Sequence, residues 1–347
     1  MPSQILHTLF GEDVIAGLHR RLGRNFGIIA DKALEKVQDT YKTAFSLGCQ
    51  GPDIFYHSRT TRPVALEYGS LLHRRGYGVF TAALLQRALP EQGINALGAY
   101  ALGFMTHALL DRAAHPYIVY KTGPSPRLHT FFERILDTLM WEKLRGGGIF
   151  SWDQTAILAR TCEKPPLGLK ELIADSLVRS FPERTARDGK INQRIENAFY
   201  DCAVFYRVTD PAASAVTNAA ANTGQPKPLS EAALSCLYPE NLPNEIDYLN
   251  LEKKPWFHPS GGGAGLRLSF PEIYAEAVDT AVSTLAPVIT QYLSSGIFPI
   301  KEAARAIGNG GLSIVDTAGK PCIPVIMDPL PLGEVLEGQG RMRGEKR

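Results

Sequence analysis

The stretch that most constrains this chain is residues 94 to 133, INALGAYALGFMTHALLDRAAHPYIVYKTGPSPRLHTFFE. Leu97, Tyr100, Ala101, Leu102, Phe104 and Met105 make its first half apolar on every side, the pattern of a buried helix. Into that helix the sequence places His107, Asp111 and His115. Four residues slightly exceed one helical turn, so the three side chains form a stripe down one face, drifting about 40° per step. After a Gly/Pro break, His129 and Glu133 repeat the spacing on a second helix. If the second helix folds back on the first, imidazoles and carboxylates converge in one cleft. An isolated His is more often a packed core residue or a cap, and a lone His/Glu pair at i,i+4 is often a surface pair. Asp111 argues against that reading here, because an unpaired carboxylate on a buried helix is costly and metal coordination removes the cost. The stretch outlines a multinuclear zinc site.

The rest of the chain agrees with a helical protein. The segment from Met1 to Gly23 has Ile5, Leu6, Leu9, Phe10, Val14, Ile15 and Leu18 near helical spacing, with Gly11 expected to split it. An amphipathic helix follows, with Ile29, Ala33, Val37, Tyr41 and Phe45 on one face, and Gly48, Gly51 and Pro52 stop it just before Asp53. Residues 54–68 read as loop and carry His57, and a helix over 71–89 is opened or preceded by His73. Three more amphipathic segments run from Asp153 to Asp210, and no matching set of alternating β-branched runs appears. Residues 209–229 are poor in large apolar side chains and read as a linker, and 239–270 as irregular but ordered loop. A last strong helix begins at Pro271, with Pro287 expected to kink it, and the tail from Gly308 reads as a few extended residues and a frayed charged end. The expectation is an all-α multi-helix bundle, with a zinc-binding helical domain over 1–208 and a linker, loop-rich segment and C-terminal helix over 209–347 packing on the same domain.

Composition narrows the function. A net charge of +2 over 347 residues gives no electrostatic argument for nucleic acid. Cys49, Cys162, Cys202, Cys236 and Cys322 are odd in number, scattered and never in CxxC, so they read as reduced thiols and not as a disulfide framework or thiolate knuckle. No basic-then-apolar leader opens the sequence and no run of eighteen apolar residues occurs, so a cytoplasmic location is expected. Among the other histidines, His7, His57 and His73 lie where they can be aimed into a cleft, whereas His19 sits beside two arginines and His258 between Phe257 and Pro259. His57, four residues from Asp53, suits a local chelate; His73, at a helix end, suits rigid positioning. The residues alone leave both open.

Taken together, His7, the run GCQGPD ending in Asp53, YGSLLH ending in His73, HALLDRAAH and HTFFE resemble the zinc-dependent phospholipase C family, related in fold to single-strand-specific zinc nucleases. The resemblance implies a helical bundle with two or three Zn2+ ions. One would be held by His73, His107 and Asp111 with Asp53 alongside, and a second by His115, His129 and Glu133. A third would use His7, Asp111 and the chain's own terminal amine. It favours His73 over His57, which is kept as the alternate ligand. Asp53 would be the catalytic carboxylate, orienting or deprotonating the attacking water. Zinc lowers the pKa of bound water from 15.7 to about 7 and suits phosphoester hydrolysis. Tyr56, Tyr77, Phe131 and Trp256 are candidates for selecting the leaving group. The expected partner is a phospholipid or small phosphodiester, with peripheral membrane contact. A zinc nuclease, or a non-catalytic binding protein stabilised by zinc, are the alternatives. An HD-type phosphohydrolase is disfavoured because Ala108 follows His107, and a di-iron bundle because no ExxH occurs.

Overall fold

In the computed structural model, which describes residues 4–89, 94–212, 230–239, 241–316 and 318–345, the chain is all-α. Among those residues extended pairing is limited to two isolated bridges, Trp256 with Leu266 and Val315 with Pro321. The helices are α1 (Gln4–Phe26), α2 (Ile28–Gln38), α3 (Lys42–Cys49), α4 (Leu66–Arg74), α5 (Tyr77–Ala88), α6 (Ala96–Thr122), α7 (Pro126–Arg145) and α8 (Gln154–Glu163). They continue as α9 (Leu169–Ser180), α10 (Pro182–Thr185), α11 (Ile191–Val208), α12 (Glu231–Leu234), α13 (Phe270–Ser295), α14 (Ile300–Ile307) and α15 (Leu332–Glu345). None of the described helices is long and apolar enough to cross a membrane.

Helix α6 is the axis. Its residues are buried around most of its circumference from Gly98 to Thr122, as expected of a helix apolar on all sides. Asn95 caps it, its side chain accepting from the Gly98 amide at 2.8 Å. Helix α3 lies against α6 at a distance only glycine permits. A Cβ on Gly48 would sit 2.1 Å from the Tyr100 carbonyl oxygen, and one on Gly103 2.3 Å from that of Phe45. Helices α1, α5 and α7 also flank α6, and α13 packs against both α1 and α6. One hydrophobic core therefore runs from Ile5 in α1 to Leu336 in α15.

Four expectations need correction. Gly11 does not split the first helix: α1 is continuous, and the missing side chain makes room for α3, since a Cβ there would come 2.5 Å from Cys49 Sγ. The helix expected over 71–89 is two helices, broken at Arg75 and at Gly76, which takes φ +74°. His73 accordingly lies in the last turn of α4 and precedes α5 without opening it. Among the described residues the tail's charged end is not frayed: it forms α15, with Leu332, Val335 and Leu336 buried. The proposed linker falls mostly outside the described residues, as does the chain's terminal amine.

Candidate metal centre

The site is assembled where α1, the turn after α3, and helices α4, α6 and α7 meet. From α6, His107 and Asp111 point inward, buried, with His115 one turn further on. The turn after α3 is pressed against His107: Gly51 has φ +55°, and a Cβ there would lie 2.3 Å from the imidazole Cγ. That close approach puts the Cys49 carbonyl 3.1 Å from His107 Nδ1 and carries Asp53, on a short 3-10 turn (Gly51–Phe55), to 3.6 Å from His107 Nε2. His73 Nε2 arrives from α4 at 3.0 Å from Asp53 Oδ1 and 3.6 Å from Asp111 Oδ2.

His7 comes from α1, whose first turn is held from across the molecule. The amides of Ile5 and Leu6 donate to the Asp137 carboxylate of α7 at 3.4 and 2.9 Å, an anion placed at the positive end of the helix. Tyr238 and the fully buried Arg134 brace that carboxylate, and Gln50 Nε2 donates to the Gln4 carbonyl at 3.1 Å. The His7 ring stacks on that of His107, centroids 4.1 Å apart, with Nε2 3.3 Å from Asp111 Oδ1. After the turn at residues 123–125, α7 returns His129 and Glu133. His129 Nε2 is 3.2 Å and His115 Nε2 3.9 Å from Glu133 Oε1.

Three groups result: His7, His107 and Asp111; Asp53, His73 and His107; and His115, His129 and Glu133. Asp111 is the hub, within 3.3 to 3.6 Å of His7, His107, His73 and His115. The donor set fits zinc on three counts. First, imidazole and carboxylate are the nitrogen and oxygen ligands zinc takes. Second, donors bound tetrahedrally at about 2.0–2.1 Å stand roughly 3.3 Å apart, and the separations here scatter around that spacing. Third, the imidazoles of His73, His107 and His115 each hold Nδ1 against a backbone carbonyl, of Gly69, Cys49 and Asp111 at 2.8, 3.1 and 3.0 Å. A carbonyl only accepts, so Nδ1 carries the hydrogen and Nε2 presents its lone pair to the cluster. His107 Nε2, Asp53 Oδ2 and Asp111 Oδ2 are buried without a hydrogen bond, a costly arrangement that a cation relieves.

Electrostatics supports ionised carboxylates. Burial pushes the Asp111 carboxyl up, but His115 and His107 beside it outweigh that and hold it well below its usual range. Asp53 is lowered on the same balance, through His107 and His73. His115 is itself lowered by burial, which keeps it neutral and fit to donate a lone pair.

His57 lies elsewhere. It stacks on Phe205 of α11 with centroids 3.9 Å apart and belongs to none of the three groups. The aromatic candidates also divide. Tyr56 is half-buried against the His73 ring, whereas Tyr77, Phe131 and Trp256 are buried, Tyr77 donating to the Phe104 carbonyl and Trp256 meeting Tyr117 edge-on. Beside His129 opens a cavity of about 880 Å3 whose apolar wall includes Val119, Val204, Phe205, Val208 and Ile314. The α11 contribution was not singled out from the sequence, although Tyr200, Val204 and Val208 recur every four residues and stay exposed.

No curated protein and no solved structure matches the chain. A family model does, that of zinc dependent phospholipase C, over residues 7–183. That span takes in His7, Asp53, His73, His107, Asp111, His115, His129 and Glu133 alike, and covers half the chain: the protein belongs to the zinc-dependent phospholipase C family.

Proposed function

We propose that the chain is a zinc-dependent phosphodiesterase that cleaves a phospholipid on the water side of its glycerol, releasing the phosphorylated headgroup. The cavity carries this reading: an apolar chamber of about 880 Å3 shares His129 with the metal centre, so a phosphoester at the centre can place an apolar leaving group beside it. Around its mouth apolar side chains face solvent. Val208 is 64 % exposed and Ile323 83 %, the latter next to Pro324 of the cavity wall. Such a rim suits peripheral contact with a lipid surface. A single-stranded nucleic acid calls for a basic, aromatic groove instead.

His115, His129 and Glu133 would hold one ion, and the single Nε2 lone pair of His107 would complete either the group of His73 and Asp53 or that of His7 and Asp111, with Asp111 touching all three groups. Bound there, zinc supplies a Lewis acid for the phosphoryl oxygens and acidifies water. Asp53, ionised and with Oδ2 lacking a hydrogen bond, accepts the proton of the attacking water. Imidazoles on carbonyl anchors fix the geometry, and the buried setting strengthens every charge interaction at the phosphorus.

The test is hydrolysis of short-chain phosphatidylcholine by zinc-loaded protein, with chelated protein and single-stranded DNA as controls. Zinc-dependent headgroup release is expected. Cleavage of DNA without lipid would establish the nuclease, and inactivity on both at full zinc loading a binding protein stabilised by zinc.

A further inference from the structure

A second opening, a groove of about 710 Å3, gathers four cations at the end of α4. Arg74 lies in the last turn of that helix and Arg75 caps it, Arg184 comes from α10, and Lys320 from the loop that follows α14. Among the described residues lining the groove one is acidic, Glu67, and it pairs with Arg184. Arg74, Arg75 and Lys320 are exposed, and none of these three side chains has an ion-pair or hydrogen-bond partner among the described residues. The nearby Asp316 is engaged in its own turn, where its Oδ1 accepts from the amides of Ala318 and Lys320, both at 2.9 Å. The loop bearing Lys320 is fastened to α4 and α5. Leu312 donates to the His73 carbonyl at 2.9 Å, Asn309 Oδ1 accepts from the Val79 amide at 3.0 Å, and Val315 bridges to Pro321.

The chemistry of the complement follows. The negative end of α4 favours Arg74 and Arg75, but it gives no reason for Lys320, brought in from far along the chain, to join them against their repulsion. Two guanidinium forks and an ammonium converging on open space suit an anion with several acceptor oxygens, of which phosphate is the common case. The groove shares no residue with the three metal groups, so this phosphate is not the one under attack. Its source is indicated by the segment that carries Lys320. Lys320 and Pro321 line the groove, whereas Cys322 and Pro324 line the apolar cavity beside His129. Between and after them Ile323 and Val325 turn outward, 83 % and 67 % exposed. Apolar tips flanked by cations are how a peripheral protein meets an anionic lipid surface.

We propose that the groove of Arg74, Arg75 and Lys320 binds the phosphate of an anionic phospholipid that neighbours the substrate in a bilayer, docking the cavity mouth on that surface. The choice of a lipid over a soluble phosphate ester rests on the phosphodiesterase reading, whereas the binding itself does not require turnover.

The zinc-loaded full chain is co-sedimented with phosphatidylcholine vesicles that contain or lack phosphatidylglycerol, and titrated with glycerol phosphate as the soluble ester. The groove variant is Arg74→Gln/Arg75→Gln/Lys320→Gln. A control, Lys36→Gln/Arg160→Gln/Lys164→Gln, removes as many exposed charges outside the groove. Affinity for the phosphatidylglycerol vesicles is expected to fall about a hundredfold in the groove variant, a factor of about five per cation, and to be largely kept in the control. Because Arg74 follows His73, zinc content is determined in parallel, and Lys320→Gln alone is expected to lose about fivefold with its zinc intact. Wild-type binding that ignores phosphatidylglycerol, equal losses in groove variant and control, or no loss in Lys320→Gln would overturn the proposal. So would groove-dependent binding of glycerol phosphate beside groove-independent binding of vesicles, which would assign the site to a soluble ester. Headgroup release from dihexanoyl phosphatidylcholine by the wild type is measured separately. Groove-dependent vesicle binding without release would leave the site standing and remove the phosphodiesterase reading; release with groove-independent vesicle binding would do the reverse.

Discussion

Single residues in this centre are not equivalent, and the sharing of His107 makes the difference measurable. His107 belongs to two of the three groups and His129 to one. Replacing His107 with Ala removes the one donor that either group can use and also opens the space that Gly51 presses upon, which disturbs Asp53 as well. Elemental analysis of the purified protein is therefore expected to show two or three zinc ions per wild-type chain, one fewer in His129→Ala, and the larger deficit in His107→Ala. Equal deficits would remove His107 from its shared position. His57 provides a second residue-scale expectation, for stability against pH. Its folded pKa of about 3 lies below the usual value for an unfolded histidine, about 6.5. Below pH 6.5 the unfolded chain binds a proton that the folded chain refuses, so stability is intact above that pH and falls as pH drops toward 3. Between pH 7.5 and 5 this one side chain should cost wild type about 2 kcal/mol that His57→Phe does not lose. Denaturant unfolding of both proteins at the two pH values checks it, and parallel losses would refute it.

At the scale of elements, the centre depends on how helix ends are fastened, and the α1 terminus is the clearest case. Asp137 accepts from the amides of Ile5 and Leu6 two residues before His7. Asp137→Ala leaves those buried amides without this acceptor and takes a negative charge from the helix's positive end. The expected cost is about 2 kcal/mol, a lost cap plus a lost charge interaction. Because α1 carries His7, an ion bound at the proposed His7 group should go before the others on titration with a weak chelator. Unchanged release kinetics would show that His7 is positioned without the cap. This fastening also marks what the sequence can reveal. The stripe of His107, Asp111 and His115 was legible because i,i+4 spacing is local, and so was the return of His129 and Glu133. The arrival of His7, Asp53 and His73 at the same stripe was not legible from periodicity, since it depends on residues 34 to 108 positions apart in sequence. It entered through resemblance to a family. Gly11 read as a break because glycine disfavours helix, but α3 packing overrides that propensity.

At the scale of the whole molecule, the region after residue 230 is part of the support of the metal centre. Helix α13 covers α1 and α6, and Tyr274 of α13 donates to Asp13 of α1 at 2.8 Å. Closer to the site, the segment after α14 wraps the outer side of α6 next to Asp111. Arg112 donates to the carbonyls of Ile307, Gly308, Gly310 and Gly311, so one guanidinium caps the end of α14 and holds the following loop. The next amide, Leu312, donates to the carbonyl of His73 at 2.9 Å. A chain of backbone contacts thus runs from α14 to a proposed ligand. Arg112→Ala would leave several carbonyls without their donor and release this loop, with an expected cost of about 2–4 kcal/mol. His73 would lose an anchor of its helix end, and with it the group formed with Asp53 should bind zinc more weakly, while the group of His115, His129 and Glu133 should be spared. Thermal unfolding together with zinc titration separates the two effects. A lowered midpoint with uniform loss from all sites would mean that Arg112 supports the fold alone; a selective deficit of one ion would tie the C-terminal segment to the His73 group.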